Sequence, residues 1–155
     1  MVARLLAAIA ALLCAIGPAR AQDAAWADVL AKARGQTVHW NAWAGDEKTN
    51  AFIAWVGDEV AKRHGVKVVH VKLKDTAEAV TRVVAEKAAG RDSGGSVDLV
   101  WINGANFLAL RQQKLLFGPY AERLPNWRYV DTAAKRSNLV DFAIPHEGYE
   151  SPWRM

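Results

Sequence analysis

The sequence predicts an α/β fold, built as a doubly wound, mostly parallel sheet with helices on both faces. Three strand-like segments, residues 37–44, 66–73 and 97–102, alternate with segments of helical period. Such alternation is typical of βαβ units, whose strands run parallel. The chain has 155 residues, of which 52% are apolar and 23% charged. That length and composition favour one globular domain.

The first strand leads directly into a helix through a tight turn. Residues 37–44 are rich in β-branched and aromatic side chains, and Gly45 and Asp46 follow them. Asp46 is predicted to cap the helix, which runs to about His64 and ends at Gly65. The predicted apolar face of this helix consists of Phe52, Trp55, Val56 and Val60.

The second strand alternates apolar and polar side chains, as expected near a sheet edge. The helix after it starts with Asp75 and Glu78 in the spacing of a capping box. The third strand is an unbroken apolar run, which indicates a central strand that is covered on both faces. Asn103 and Gly104 end it, and residues 105–113 are predicted to form a third helix.

Two βαβ units in series favour the strand order two, one, three. The carboxyl ends of strands one and three would then meet at the switch point where open α/β sheets bind ligands. The predicted ligand-binding residues are Asn41, Trp43, Gly45, Asp46, Asn103, Gly104 and Asn106. Each also has a structural interpretation: Trp43 as core, Asp46 as helix cap, and the asparagines as turn residues. Trp40, Trp55 and Trp101 are predicted to be core.

The amino-terminal segment has the composition of an export signal. Arg4 precedes an apolar run that is too short to span a bilayer, and Gly17-Pro18 is predicted to break it. Ala19-Arg20-Ala21 fits a signal peptidase site, so residues 1–21 are predicted to be removed after Ala21 and the mature protein to be periplasmic. A short packing helix is expected over residues 24–33, with Trp26, Val29 and Leu30 on one side.

Three blocks carry a resemblance to a known family. Residues 40–48 (Trp-Asn-Ala-Trp-Ala-Gly-Asp-Glu-Lys), 75–78 and 97–104 (Val-Asp-Leu-Val-Trp-Ile-Asn-Gly) resemble the amino-terminal half of extracellular solute-binding proteins of bacterial ABC importers. The resemblance implies a type II periplasmic-binding-protein lobe with three α/β/α layers. It also implies capture of a small solute between two lobes, and docking on an ABC permease in the inner membrane.

The resemblance also implies a division of the chain. Residues 22–140 would form most of the first lobe and residues 141–155 the start of a hinge or crossover segment. Because members of the family are much longer, it predicts that the chain is truncated and lacks the second lobe. No catalysis and no cofactor are implied. The solute is expected to be an organic cation, thiamine-like or polyamine-like, because Trp43 beside Asp46 offers a ring face and a carboxylate.

Other functional classes are less well supported by the residues. The net charge is +4, but the basic side chains are scattered, which does not indicate nucleic-acid binding. The four histidines are expected to have no i, i+4 partner and no carboxylate partner at ligand spacing, so no metal site is predicted. Asp92-Ser93-Gly94-Gly95 resembles a serine-protease loop in an unsuitable context, which leaves a secreted hydrolase as the weaker alternative. A truncated half-lobe that binds nothing is the other alternative.

Overall fold

The computed structural model describes residues 17–151, with side chains described from residue 25 onward. The chain divides into two compact units, Met1–Arg34 and Gly35–Met155. Most of the predicted export signal (residues 1–16) and the end of the predicted crossover segment (residues 152–155) lie outside the described residues. Within the described part of the chain, no helix is both long and apolar enough to cross a membrane.

The described part of the first unit contains one helix, α1 (Gly17–Ala33). It begins at Gly17, earlier than the predicted residue 24, and Pro18 lies in its first turn. The predicted break of the apolar run before Gly17 concerns residues outside the described part of the chain. Proline is well tolerated in the first turn of a helix, where its missing N–H has no intrahelical partner. Of the three side chains on the predicted packing face, Trp26 and Val29 are exposed and Leu30 is half-buried. Cleavage after Ala21 stays a prediction.

The second unit contains a parallel three-stranded sheet. Its strands are β1 (Thr37–Trp43), β2 (Lys67–Leu73) and β3 (Leu99–Val100), in the order β2-β1-β3. β1 and β2 pair along their full length, from Thr37 opposite Lys67 to Trp43 opposite Leu73. The predicted α/β class, parallel pairing and strand order are therefore confirmed.

The third strand differs from its prediction. β3 has two residues instead of six, and it lies at an edge of the sheet while β1 is central. Leu99 is 41% exposed. An unbroken apolar run shows that a segment avoids water, but it does not show how many strands pair beside it, and this is why the prediction of a central strand was wrong.

Three helices accompany the sheet: α2 (Glu47–His64), α3 (Ala77–Ala88) and α4 (Gly104–Gln112). Gly57 of α2 lies against Val68, where an added Cβ would be 3.5 Å from the Val68 Cβ. Arg82 of α3 donates to Asn41 Oδ1 at 2.9 Å. Val68 pairs with Val38, three residues from Asn41, so the two contacts lie on opposite faces of the sheet.

The apolar face of α2 is rotated relative to the prediction. Ile53 is fully buried, whereas Trp55, predicted as core, is 57% exposed, and its ring centroid lies 5.8 Å from that of Phe52. Gly57 shares the sheet-facing side with Ile53, and a small residue there lets the helix approach β2. Sequence periodicity favoured the large aromatic side chains and missed the glycine. Trp40 and Trp101 are half-buried and stacked, with centroids 6.4 Å apart.

After α4 the chain forms three short 3₁₀ helices, Ala121–Arg123, Pro125–Tyr129 and Arg136–Asn138. A small antiparallel hairpin follows, made of β4 (Val140–Asp141) and β5 (Ile144–Pro145). β5 is therefore the second arm of this hairpin. Phe142 and Ala143 form its turn.

Candidate functional site

The carboxyl ends of β1 and β3 lie side by side, as the strand order requires. Trp101 N donates to Asn41 O at 2.9 Å, which continues the pairing of β1 and β3 beyond Val100. On the other side of β1, Ala44 N donates to Leu73 O at 3.0 Å. The turn into α2 and the turn into α4 therefore start at the same edge of the sheet, which we call the carboxyl edge.

Asp46 caps α2, as predicted. Its backbone is extended (φ −128°, ψ 124°), and its Oδ2 accepts from Thr49 N at 2.7 Å and from Thr49 Oγ at 2.8 Å. The hydroxyl bond, followed by the amide bond, lowers the pKa of the Asp46 carboxyl below its usual value. Asp46 therefore contributes a negative charge to the carboxyl edge at neutral pH.

Trp43 lies at the surface of this edge and is 48% exposed. Its six-membered ring folds over Gly45 so closely that an added Cβ there would overlap it. Gly45 is thus explained by the position of the ring, since any larger residue would displace Trp43. The edge gains a flat apolar surface over Gly45, the residue that precedes Asp46.

Asn41 is enclosed by the fold, and its predicted role as a ligand contact stays a prediction. It is fully buried. Its Oδ1 accepts from Arg82, and its Nδ2 donates to the carbonyls of His39 and Ser96, each at 3.3 Å. The side chain of Asn41 therefore links β1 by hydrogen bonds to α3 and to the loop before β3.

The start of α4 is capped by a residue that is distant in sequence. Asn103 occupies the N-cap position but makes no side-chain capping hydrogen bond. Asp141 Oδ2 instead accepts from Gly104 N. Gly104 is buried, and Asn106 is half-buried in the first turn of the helix. The turn-shaping and capping role considered for Asn103 and Asn106 is thus filled in part by Asp141.

Phe142 packs beside that contact. A Cβ added to Gly104 would lie 2.9 Å from Phe142 Cδ2 and 3.0 Å from its Cβ. Phe142 is nevertheless 73% exposed. One side of the ring therefore covers the start of α4, and the rest of it faces solvent.

Sequence reasoning missed three residues at this edge: Asn50, Asp141 and Phe142. Asn50 Nδ2 donates to Ala44 O at 3.1 Å, and its Oδ1 is buried with no hydrogen-bond partner among the described residues. Its place four residues after Asp46, in the first turn of α2, was a signal that could have found it. Asp141 and Phe142 had no such local signal.

An ionisable pair of a buried histidine and a partly buried glutamate lies close to the hairpin. His146 Nε2 and Glu150 Oε2 are 3.1 Å apart, and His146 Nδ1 lies 3.2 Å from Asn138 O. The two atoms are within ion-pair distance, but neither Nε2 nor Oε2 makes a hydrogen bond within the described residues. This i, i+4 pair corrects the expectation that no histidine has a carboxylate partner, as does the 2.9 Å contact of His39 Nδ1 with Asp98.

The surroundings of this pair shift both titrations. Burial, and then the charge of Asp141, raise the pKa of Glu150 to about 7. Burial lowers the pKa of His146. The T-shaped contact of the His146 ring with Phe107, at 6.1 Å between centroids, holds the pair against α4. Residues 17–151 contain no group of three or more His, Cys, Asp and Glu side chains that could hold a metal ion.

A comparison with curated proteins shows a similarity over most of the chain. The chain is 47% identical over 128 residues to Protein YnjB of Escherichia coli strain K12, an alignment that covers 83% of this chain and 32% of that protein. The chain thus spans about a third of the length of the curated relative that it matches. No family model matches the chain. No solved structure matches it.

These comparisons overturn the family identification made from the sequence. The similarity found is to Protein YnjB, and no solute-binding family model matches the chain. The residues of blocks 40–48 and 97–104 are explained instead by the fold: Asp46 as a helix cap, Gly45 as space for the Trp43 ring, and Trp101 as the stacking partner of Trp40.

Proposed function

We propose that the carboxyl edge of the sheet binds a small organic solute without changing it chemically. The observation that carries this proposal is the parallel order β2-β1-β3, which brings the turns after β1 and β3 to one edge. Ligands of open α/β sheets bind at such a switch point, beyond the carboxyl ends of the strands. The surface there combines a flat ring, Trp43, with polar groups from two helix starts.

The edge can hold a solute by two kinds of contact. The exposed Trp43 ring offers an apolar face, and the hydrogen-bonded Asp46 carboxylate, three residues further along the chain, offers a fixed charge. Contacts of both kinds are typical of small-molecule sites, where a few placed polar groups set the orientation of the ligand. In this proposal the chain supplies one wall of the site and works outside the cytoplasm, as the composition of residues 1–21 predicts.

The alternative that the described region binds no solute by itself is favoured by its exposed apolar surface. Large apolar side chains that are exposed within the described residues include Trp43, Trp55, Phe117, Tyr129 and Phe142. Surfaces of this kind mark interaction sites when they cluster. Delivery of the solute to a membrane permease is a separate prediction that no observation tests, as is the hydrolase alternative.

The experiment is calorimetric titration of the full-length protein, isolated from its host, with spermidine, thiamine, choline, citrate and sulfate. We expect saturable heat with one of these classes. Trp43→Ala should weaken that binding by about tenfold, which is the loss expected when an aromatic contact is removed from a site.

Trp55→Ala is the matched control, because Trp55 is equally aromatic and exposed but lies on α2 away from the edge. It should leave the dissociation constant unchanged. Equal affinities of wild type and Trp43→Ala would contradict the proposed site.

A further inference from the structure

We propose that the contact between His146 and Glu150 is a proton switch: Glu150 is held as a neutral carboxylic acid beside His146, and loss of its proton to solvent loosens residues 138–151 from α4. The switch is independent of the proposed solute site, because it concerns the packing of a segment of the chain. It follows from the direction of one hydrogen bond, from burial and from the place of the pair in the fold.

The hydrogen bond of His146 Nδ1 determines which ring nitrogen carries a proton. Asn138 O lies 3.2 Å from Nδ1, and a backbone carbonyl can only accept, so Nδ1 donates. In the neutral ring Nε2 is then an acceptor. A carboxylate is also only an acceptor, so an ionised Glu150 would set two acceptors 3.1 Å apart. A proton on one of these two atoms removes the conflict.

Burial decides which of the two atoms carries that proton. The side chain of His146 is 5% exposed and that of Glu150 is 14% exposed, and water has no access to Nε2 and Oε2. An imidazolium beside a carboxylate would place two charges there, whereas a carboxylic acid beside a neutral imidazole places none. Burial lowers the pKa of His146, and burial followed by the charge of Asp141 raises the pKa of Glu150 to about 7. Glu150 therefore carries the proton in neutral and mildly acidic solution.

The acidic groups on neighbouring elements also favour the neutral acid. Asp141 of β4 raises the pKa of Glu150, because a second negative charge nearby disfavours a carboxylate. Tyr120, which precedes the first 3₁₀ helix, is half-buried, and its pKa is raised by burial and then by the charge of Glu150. The Tyr120 hydroxyl is therefore neutral over the pH range in which Glu150 titrates.

The basic groups on neighbouring elements are engaged elsewhere or exposed. Arg111 of α4 pairs with Glu147, and its guanidinium lies 3.9 Å from the centre of the Tyr149 ring. Arg136 of the third 3₁₀ helix is exposed to water. The shift of the Glu150 pKa has burial and Asp141 as its causes, so neither arginine stabilises an ionised Glu150.

The pair lies where three parts of the second unit meet, which couples its protonation to packing. Phe107 of α4 contacts the His146 ring edge-on, at 6.1 Å between centroids. Gly148, between the two members of the pair, accepts through its carbonyl from Tyr120 N at 2.8 Å. Two buried acceptors that face each other repel, and separation of residues 138–151 from α4 lets water reach both.

The test follows deuterium exchange of backbone amides in the full-length protein between about pH 6 and pH 8. The folded pair keeps its proton up to a pKa of about 7, whereas in the loosened segment the proton is held by a free histidine, with a pKa of about 6.5. Raising the pH should therefore lower the protection of residues 138–151 by about threefold. Residues 47–64 of α2, measured in the same sample, correct for the effect of pH on exchange itself.

Glu150→Gln is the decisive variant, because its amide N–H can donate to His146 Nε2 at every pH. Protection of residues 138–151 relative to α2 should then be constant from about pH 6.5 to pH 8. Glu122→Gln is the matched control, since it removes an exposed carboxylate from the first 3₁₀ helix, and it should keep the wild-type decline. Constant protection in wild type, or an unchanged decline in Glu150→Gln, would overturn the switch.

A measurement on the wild-type protein tests the proton's position without any substitution. Nitrogen NMR shifts of the His146 ring should show a protonated Nδ1 and a bare Nε2 at about pH 6, where a free histidine is mostly an imidazolium. Protonation of both nitrogens at that pH would mean that Glu150 is ionised, and the proposed switch would be wrong.

Discussion

The starts of α2 and α4 are both capped by a carboxylate, but the capping residue is local in sequence for α2 and distant for α4. Both helices begin at the carboxyl edge, and at both a carboxylate accepts from a backbone amide that has no partner within the helix. Asp46 is three residues from its amide at Thr49. Asp141 is 37 residues from Gly104.

This difference in separation decides what each cap can do. A local cap forms with the helix and depends on little else in the fold. A distant cap forms only when the hairpin has packed against α4, so it depends on the packing of residues 138–151. The α4 start is therefore the part of the edge that mutations and pH should affect most.

The largest effect is expected from Gly104→Ala, which should separate the distant cap from its helix. The added Cβ would lie 2.9 to 3.0 Å from three atoms of Phe142, including its Cβ, so the hairpin has to move and the Asp141 contact is lost. Overpacking of a buried position of this kind costs about 1–3 kcal/mol of unfolding free energy. Urea denaturation followed by circular dichroism measures it.

Gly57→Ala is the matched control within α2. Its Cβ would meet Val68 at 3.5 Å, an ordinary contact, and alanine is favoured over glycine inside a helix by about 0.5–1 kcal/mol. We expect this variant to be as stable as wild type or slightly more so. If Gly104→Ala were equally harmless, the close packing of the hairpin on α4 would be wrong.

The second prediction concerns pH, because the distant cap lies near a titrating pair. Glu150 has a pKa of about 7 in the folded protein, raised from 4.5 by burial and by Asp141. Between these two values the folded state keeps a proton that the unfolded state releases, so stability falls as pH rises. Since the group is only partly buried, we expect a contribution of about 1–2 kcal/mol.

Glu150→Gln should remove this decline. The measurement is urea unfolding at several values between pH 4.5 and 7.5. Of the pair, only His146 still titrates in Glu150→Gln, and because its pKa is lowered, the unfolding free energy should fall as pH drops below the ordinary value of 6.5. This slope is opposite to the one that Glu150 causes in wild type.

The local cap behaves differently. The pKa of Asp46 is lowered from 3.8, so its contribution is lost only in more acidic solution. The same decline in wild type and Glu150→Gln would contradict the assignment.

The same contrast explains how much the sequence predicted. Strand order, the Asp46 cap and the end of α2 at Gly65 (φ 67°) follow from local patterns and from the handedness of βαβ units, and they were predicted. The edge position of β3 depends on which strands pair beside it. It could not be derived from the apolar run alone.

In the site, too, features set by local sequence were predicted and features set by distant contacts were not. Trp43 and Asp46 were placed at the edge because Trp43 lies at the end of a strand and Asp46 in the turn after it. The burial of Asn41 follows from its contact with Arg82, 41 residues away, and the capping of Gly104 from the docking of the hairpin. Such contacts leave no spacing in the sequence, because they depend on the tertiary fold.

The smallest expected effect concerns the backbone strain next to each cap. Asp46 caps α2 from an ordinary extended conformation, whereas Asp141 precedes two residues with positive φ. Ala143→Gly relieves one of them, at φ 67°, and should raise the unfolding free energy by about 0.5–1 kcal/mol after the added flexibility of the unfolded chain is subtracted. Ala54→Gly, in the middle of α2, is the control and should lower it by a similar amount. Destabilisation by both variants would mean that the turn carries no strain, and the distant cap would then be as relaxed as the local one.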